Sequence, residues 1–132
     1  MIVGLGMDLL EVRRMEGALR RRGERLLQRL FTGAERDACR AAGGGAMRWA
    51  ARFAAKEAVL KALGTGWADG LGWHQVEILR AANGRPHVRL SGVALDTAHS
   101  LGGDLCHVSL THQKSHAAAV AILERAAGPE SH

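Results

Sequence analysis

The chain of 132 residues is long enough for one ordinary domain. With 47% hydrophobic and 23% charged residues it has a globular composition, which excludes disordered and fibrous proteins, and no apolar run reaches the ~20 residues that a membrane span needs. The net charge is +5, and Cys39 and Cys106 are too few for a disulfide framework. Because residues 1–10 also lack the basic start of a signal peptide, we expect a cytoplasmic protein.

Residues 1–9 alternate in the manner of a β-strand. We expect one face of this strand to be packed; it consists of Val3, Leu5, Met7 and Leu9. The opposite face is left bare by two glycines, and Asp8 stands at its end.

Helical patterns follow as far as residue 64. A basic helix is predicted from residue 11 to about residue 30, with a break near Gly23. A capping box formed by Thr32 and Glu35 begins a short helix that ends near residue 42. After three glycines, residues 47–63 form the longest helical stretch, which Gly64 closes.

The second half of the chain is predicted to be mostly strands. A hairpin turning at Asn83-Gly84 and a last hairpin near the C-terminus flank a helix that Ser91 caps. The predicted segments are strands 74–80 and 87–90, helix 91–102, strands 105–111 and 117–123, and a frayed tail 126–132. This order indicates an α+β fold with a mostly antiparallel sheet, formed by a single domain over residues 1–125.

The helix over residues 47–63 places a carboxylate and an ammonium group along one stripe. Phe53, Glu57, Lys61 and Gly64 share this stripe because they are spaced by one turn or nearly so. On the helix alone, an ordinary solvated Glu–Lys pair is the simpler interpretation. Asp8 leaves a second one open, since Mg²⁺ commonly takes one or two carboxylates and completes its shell with water and substrate phosphates. Asp8 is otherwise interpreted as an N-cap of the helix that begins near residue 11.

Three further features have an ordinary and a functional interpretation. The segment Gly64-Thr65-Gly66 is a weak phosphate-loop signal or a plain C-cap. His112, at a strand end, is a surface turn residue or forms a zinc pair with His116; without an HExxH motif or a Cys pair we expect no zinc site. Seven Arg and three Glu lie between residues 11 and 29, so this segment supplies +4 of the net charge. Arg14 and Arg21 lie on one face of its helix, which is either solvated or docks an acidic partner.

Taken together, three motifs resemble the holo-acyl-carrier-protein synthases, the short bacterial 4′-phosphopantetheinyl transferases. The motifs are Gly4-Leu5-Gly6-Met7-Asp8, Arg52-Phe53-Ala54-Ala55-Lys56-Glu57 with the downstream Lys61 to Gly66, and His107-Val108-Ser109-Leu110-Thr111-His112. The resemblance implies transfer of 4′-phosphopantetheine from coenzyme A to a serine of an apo-acyl carrier protein, in support of fatty acid biosynthesis. It also implies a trimer with a long central helix in each subunit and with active sites between neighbouring subunits.

The resemblance assigns roles to the candidate residues. Asp8 and Glu57 are expected to hold Mg²⁺, with Lys61 stabilising phosphate charge, and these three are the expected catalytic residues. The general base is Glu57 or a metal-bound water. The expected coenzyme A contacts are Arg52, Lys61, Gly64, Thr65, Gly66 and His112, the last acting on the site of the next subunit. Arg14 and Arg21 match positions that face the acidic carrier protein.

Two rival functions are a basic module that binds nucleic acid and a degenerate, inactive transferase subunit. Asp8, Glu57 and Lys61 oppose both, because carboxylates repel phosphates unless a metal intervenes and because the expected catalytic set is intact. We therefore expect no nucleic-acid partner. The sequence leaves open whether the carrier is of the fatty-acid or the polyketide type.

Overall fold

The computed structural model describes residues 1–64 and 70–126. Its strands are β1 (Ile2–Glu11), β2 (Val76–Arg80), β3 (Pro86–Leu90), β4 (Leu105–His112) and β5 (His116–Glu124). Its α-helices are α1 (Val12–Arg22), α2 (Glu24–Leu30), α3 (Gly33–Ala41), α4 (Ala46–Leu63) and α5 (Gly92–Ser100). The predicted α+β class and order of elements are confirmed, and a single turn of 3₁₀-helix at Trp73–Gln75 precedes β2.

The strands form two antiparallel sheets where one was expected. The larger sheet has the order β1-β5-β4, and β2 pairs only with β3. The predicted capping box is present at the start of α3, where the Thr32 hydroxyl accepts from the Glu35 amide and the Glu35 carboxylate accepts from the Thr32 amide. The predicted break at Gly23 divides α1 from α2 because Gly23 has φ +57°, a left-handed value that favours glycine.

The prediction for the two faces of β1 was wrong. The glycine face is packed: a Cβ on Gly6 would collide with the carbonyl oxygen of Ala58, and a Cβ on Gly4 with that of Ala62. The absence of a side chain at these positions lets β1 lie directly on the backbone of α4. The opposite face is the bare one in the single chain, since Leu5, Met7 and Leu9 are 65%, 67% and 67% exposed.

Helix α4 contributes to both hydrophobic clusters of the fold. Its C-terminal half packs with β2, α5 and β5 around Val59, Leu63 and Leu123. Its N-terminal half packs with α1 to α3 around Trp49, Phe31 and Met15. The 18-residue helix is therefore held on several sides, and its residues are fixed relative to β1 on one side and to β2 on another.

Two predicted segments lie partly outside the described residues. These are the loop after α4, of which residues 65–69 are not described, and the tail, of which residues 127–132 are not described. Arg125 and Ala126 are tied to the body of the fold, because Arg125 exchanges backbone hydrogen bonds with Met1 and the Ala126 amide donates to Asp104. Among the described residues, no helix has the length and apolar character to cross a membrane.

Candidate active site

A cleft of about 680 Å³ opens where β1 meets α4 and α1. Asp8 from β1 and Glu57 and Lys61 from α4 all line it. The close approach of β1 to α4 at Gly6 and Ala58 brings the strand end beside the helix stripe. The structure thus brings together the three residues that the sequence singled out for metal and phosphate chemistry.

Lys61 joins the strand to the helix at this cleft. Its Nζ donates to the Asp8 Oδ1 and to the carbonyl oxygen of Met7, both at 3.0 Å. Asp8 does not cap α1, because the cap position is Glu11, which makes no side-chain cap hydrogen bond. Asp8 is mostly buried while Lys61 is half exposed, so the pair lies at the wall of the cleft with the ammonium toward solvent.

Glu57 lies half buried beside this pair. Burial and the negative charge of Asp8 raise the pKa of the Glu57 carboxyl above its ordinary value, and the Lys61 ammonium only partly opposes this. Two carboxylates that repel each other in one cleft bind a cation or a proton more readily than either would alone. The arrangement therefore suits cation binding and proton transfer.

The basic helix also lines this cleft. Arg13, Arg14 and Arg21 of α1 contribute to it, so four basic side chains, counting Lys61, line the cleft together with the two carboxylates. Apolar side chains complete the lining, among them Phe53, which lies one turn before Glu57. The two predicted docking residues, Arg14 and Arg21, are therefore exposed and belong to the same cleft.

Arg52 and His112 lie in a second cleft, of about 490 Å³. Arg52 is five residues before Glu57, which turns it by about 140° around the axis of α4 and onto a different side of the helix. Arg48 and Arg80 line the same cleft, and sequence reasoning missed both. The spacing of Arg48 and Arg52 by one helical turn was a signal that could have identified Arg48, whereas Arg80 comes from a distant strand.

The last of the expected coenzyme A contacts follow α4. Gly64 is a left-handed C-cap with φ +73°, and its amide donates to the Lys61 carbonyl oxygen. This confirms the C-cap interpretation. Thr65 and Gly66 lie outside the described residues.

The model of the 4′-phosphopantetheinyl transferase superfamily matches residues 4–121. The chain belongs to this superfamily. It is 50% identical over 129 residues to the holo-[acyl-carrier-protein] synthase of Desulforudis audaxviator, which spans 98% of this chain and 95% of the relative. It is 44% identical to that of Koribacter versatilis, spanning 94% and 99% respectively. The family resemblance seen in the sequence motifs is confirmed.

Solved structures of the superfamily share the fold. The holo-[acyl-carrier-protein] synthase of Neisseria meningitidis superimposes with a TM-score of 0.84 at 28% identity, covering 95% of this chain and all of that one. The Bacillus anthracis synthase, solved in complex with CoA (3′,5′-ADP), has a TM-score of 0.77 at 31% identity and covers 96% and 99% of the two chains.

Proposed function

We propose a site and a mechanism for the holo-acyl-carrier-protein synthase activity that membership of this family gives the chain. The enzyme transfers 4′-phosphopantetheine from coenzyme A to a serine hydroxyl of an apo-acyl carrier protein and releases adenosine 3′,5′-bisphosphate. The observation that carries the proposal is the meeting of Asp8, Glu57 and Lys61 in one cleft whose rim is basic. Phosphoryl transfer of this kind depends on positioning and on charge compensation.

The donors in this cleft fit a divalent cation. Asp8 and Glu57 supply two carboxylates, and the raised pKa of Glu57 reports the repulsion and burial that a cation would relieve. Mg²⁺ is commonly held by one or two carboxylates together with substrate phosphates. When bound, it would offset the negative charge of the pyrophosphate. Across the described residues no group of three or more His, Cys, Asp or Glu forms a metal cluster, so these two residues would hold it with help from substrate.

The remaining chemistry is assigned to the side chains of α4. We assign to Glu57, which lines this cleft, the removal of the proton from the carrier serine. The serine oxygen then attacks the β-phosphorus, and the bond to the α-phosphate oxygen breaks. Lys61, fixed by Asp8 and the Met7 carbonyl, lies where it compensates the charge of the phosphates and the leaving group.

We assign the other end of coenzyme A to the second cleft. Arg48, Arg52 and Arg80 give it three guanidinium groups, and His112 also lines it. Arginine forks match phosphate oxygens in geometry and charge. In the assembly that we infer, the cleft of one subunit adjoins the Asp8–Glu57 cleft of its neighbour, so that one coenzyme A spans both.

The outer face of the larger sheet supports this assembly. Leu5, Met7 and Leu9 of β1 are exposed, and Leu5 and Met7 pair with Ile122 and Val120 of β5. Adjacent exposed apolar side chains of this kind mark an association surface. We propose that two further copies of the chain cover this face in a homotrimer.

The basic helix α1 is the proposed docking surface for the carrier protein. Arg14 and Arg21 are exposed beside the catalytic cleft, so a carrier held there would present its serine to Glu57. The partner is acidic by this proposal, and the attraction gives mainly steering and register. We place the reaction in the cytoplasm, where coenzyme A and acyl carrier proteins meet.

Mass spectrometry tests the proposed activity. An apo-acyl carrier protein of fatty acid synthesis is incubated with the chain, coenzyme A and Mg²⁺, with EDTA in a parallel sample. We expect the carrier to gain one phosphopantetheine group only where Mg²⁺ is present. A carrier that stays unmodified with Mg²⁺ contradicts the assigned activity, and equal modification in EDTA contradicts the metal assignment.

Sedimentation at micromolar concentration tests the assembly. We expect a trimer for the wild type and a smaller species for Met7→Asp, which places a charge at the exposed apolar face. Lys114→Asp, at the turn between β4 and β5, is the control and is expected to remain trimeric. A fully active wild-type monomer would refute the site shared between subunits.

A further inference from the structure

Among the residues that the structure describes, one ion pair is fully buried, between Lys56 of α4 and Glu35 of α3. Both side chains are 0% exposed, and the Lys56 Nζ lies 2.6 Å from the Glu35 Oε1. Lys56 belongs to the sequence motif that also contains Arg52 and Glu57, yet it lines neither of the two clefts described above. A buried pair of this kind is expensive to desolvate, and apolar residues of similar size often stabilise a fold as well or better. Stability alone therefore gives no reason for a charged pair here.

The Glu35 carboxylate joins three elements of the fold. Its Oε1 accepts from Lys56 and from the Thr32 amide at 2.9 Å, and its Oε2 accepts from the Ile78 amide of β2 at 2.9 Å. Both oxygens of the Glu35 carboxylate thus accept from donors on other elements or on the helix cap, which holds the carboxylate in one orientation.

Ile78 continues the chain of contacts to the second cleft. While its amide donates to Glu35, its carbonyl oxygen accepts from the Arg52 Nη1 at 2.5 Å. In an antiparallel pair the N–H and C=O of one residue point to the same side, so Glu35 and Arg52 occupy the edge of β2 that a further strand would take. The orientation of the Ile78 peptide groups therefore connects the Glu35 carboxylate with the Arg52 guanidinium.

We propose that Glu35 and Lys56 are positioning residues for anion binding in the second cleft: they fix the edge of β2 so that the Ile78 carbonyl aims Arg52 at a phosphate group. Lys56 sets the orientation of Glu35, Glu35 sets that of the Ile78 amide, and the Ile78 carbonyl sets one arm of the Arg52 fork. The assignment rests on the proposed role of this cleft in holding the adenosine end of coenzyme A.

The direct test measures binding of adenosine 3′,5′-bisphosphate to the full chain by calorimetry. In Glu35→Gln one acceptor oxygen becomes an NH₂ group, which is a donor. It then faces the Ile78 amide or one of the other donors, and the hydrogen bond at that position is lost. We expect adenosine 3′,5′-bisphosphate to bind about tenfold more weakly. A tenfold change corresponds to the free energy of about one hydrogen bond between a charged and a neutral group, here the one that orients Ile78. The Michaelis constant for the carrier protein is expected to stay unchanged, since the docking helix lies at the other cleft.

Two further variants separate positioning from loss of stability. Thr32→Ala removes the cap of α3 and the hydrogen bond from the Thr32 hydroxyl to the Glu77 carboxylate of β2, and it is expected to lower stability by about 1–2 kcal/mol. It keeps the Thr32 amide and the Glu35–Ile78–Arg52 contacts, so we expect nearly normal binding. In an Arg52→Met background, Glu35→Gln is expected to have no additional effect on binding, because Glu35 acts through Arg52. Additive effects would overturn the proposal.

Two outcomes keep this proposal distinct from the assignment of the cleft. If the wild type does not bind adenosine 3′,5′-bisphosphate, or if Arg52→Met binds it as the wild type does, the role of the cleft is wrong and the positioning proposal falls with it. If the wild type binds, Arg52→Met binds measurably more weakly, and Glu35→Gln binds normally, only the positioning proposal is overturned. Should Glu35→Gln fail to fold, Glu35→Asp keeps the charge beside Lys56, shortens the reach to Ile78 and is expected to show the same selective loss.

Discussion

Two lysines on α4, five residues apart, each pair with a carboxylate but in opposite surroundings. Lys56 and Glu35 are both 0% exposed, whereas the side chains of Lys61 and Asp8 are 54% and 16% exposed. Burial lowers the pKa of Lys56, and Glu35 acts against that shift. The stability of the fold thus depends on both members of the buried pair being present. Lys61 and Asp8, by contrast, can exchange each other for contacts with substrate at little cost to stability.

The comparison predicts that substitution of Lys56 mainly lowers stability, whereas substitution of Lys61 mainly lowers activity. Lys56→Met leaves the Glu35 carboxylate without its buried partner, and we expect a loss of about 3–5 kcal/mol in the free energy of unfolding. Lys61→Met should change stability by about 1 kcal/mol or less but strongly reduce turnover. Urea unfolding and steady-state kinetics on the two variants check this. Equal losses of stability would remove the distinction between the pairs.

The second prediction concerns the distance between β1 and α4. This distance matters for the exposed pair, which joins Asp8 of β1 to Lys61 of α4, but not for the buried pair, which joins α3 to α4. A Cβ in Gly6→Ala would meet the Ala58 carbonyl oxygen, so strand and helix must move apart. We expect a loss of about 1–3 kcal/mol in stability together with a fall in turnover, because Asp8 moves away from Glu57 and Lys61.

Gly33→Ala is the matched control for that change. Gly33 begins α3, and a Cβ there makes only an ordinary contact, 3.7 Å from the Arg36 guanidinium. We expect stability that is unchanged or slightly higher, and normal turnover. If both alanine variants behave alike in thermal unfolding and kinetics, close packing at Gly6 does not position the site.

The exposed charges at the mouth of the cleft extend the comparison to a partner protein. Arg14→Glu reverses a side chain that faces solvent, so we expect stability within about 1 kcal/mol of the wild type. The Michaelis constant for the carrier should rise, that for coenzyme A should not, and added salt should shrink the difference. Kinetics with each substrate varied at two salt concentrations check this. An unchanged Michaelis constant for the carrier at low salt would show that this basic face does not dock the carrier protein.

The smallest expected effect is the pH dependence that Glu57 gives to stability. Because the folded state raises the pKa of Glu57 above 4.5, its neutral form contributes stability that is complete below 4.5 and lost as pH rises through the raised pKa. Glu57→Gln removes this titration. We therefore expect the variant to be slightly more stable than the wild type at pH 7, and the difference to shrink on acidification. Chemical unfolding from pH 7 to pH 4 measures it; a difference independent of pH would contradict the shift.

The sequence predicted the elements, and the residues that meet in the first cleft, better than it predicted the two faces of β1. The alternation of residues predicted strand β1 correctly, but it could not show which face of the strand is packed. The packed face consists partly of glycines that lie against the backbone of α4, so it lacks the apolar side chains by which a buried face is recognised in a sequence. Motifs within one helix identified Glu57 and Lys61. The network of Glu35, Lys56 and Ile78 joins residues 43 apart in sequence, so no local spacing could indicate it.

In the proposed mechanism the charged residues of α4 that line the first cleft, Glu57 and Lys61, perform the chemistry. The most direct measurement is turnover of Glu57→Gln with saturating coenzyme A, carrier and Mg²⁺, alongside its thermal unfolding and an Asp96→Asn control on the exposed side of α5. We predict that turnover falls by at least about 100-fold in Glu57→Gln, the usual scale for loss of a general base, with the fold intact and the control unaffected. Near-normal turnover of a folded Glu57→Gln enzyme would contradict the claim.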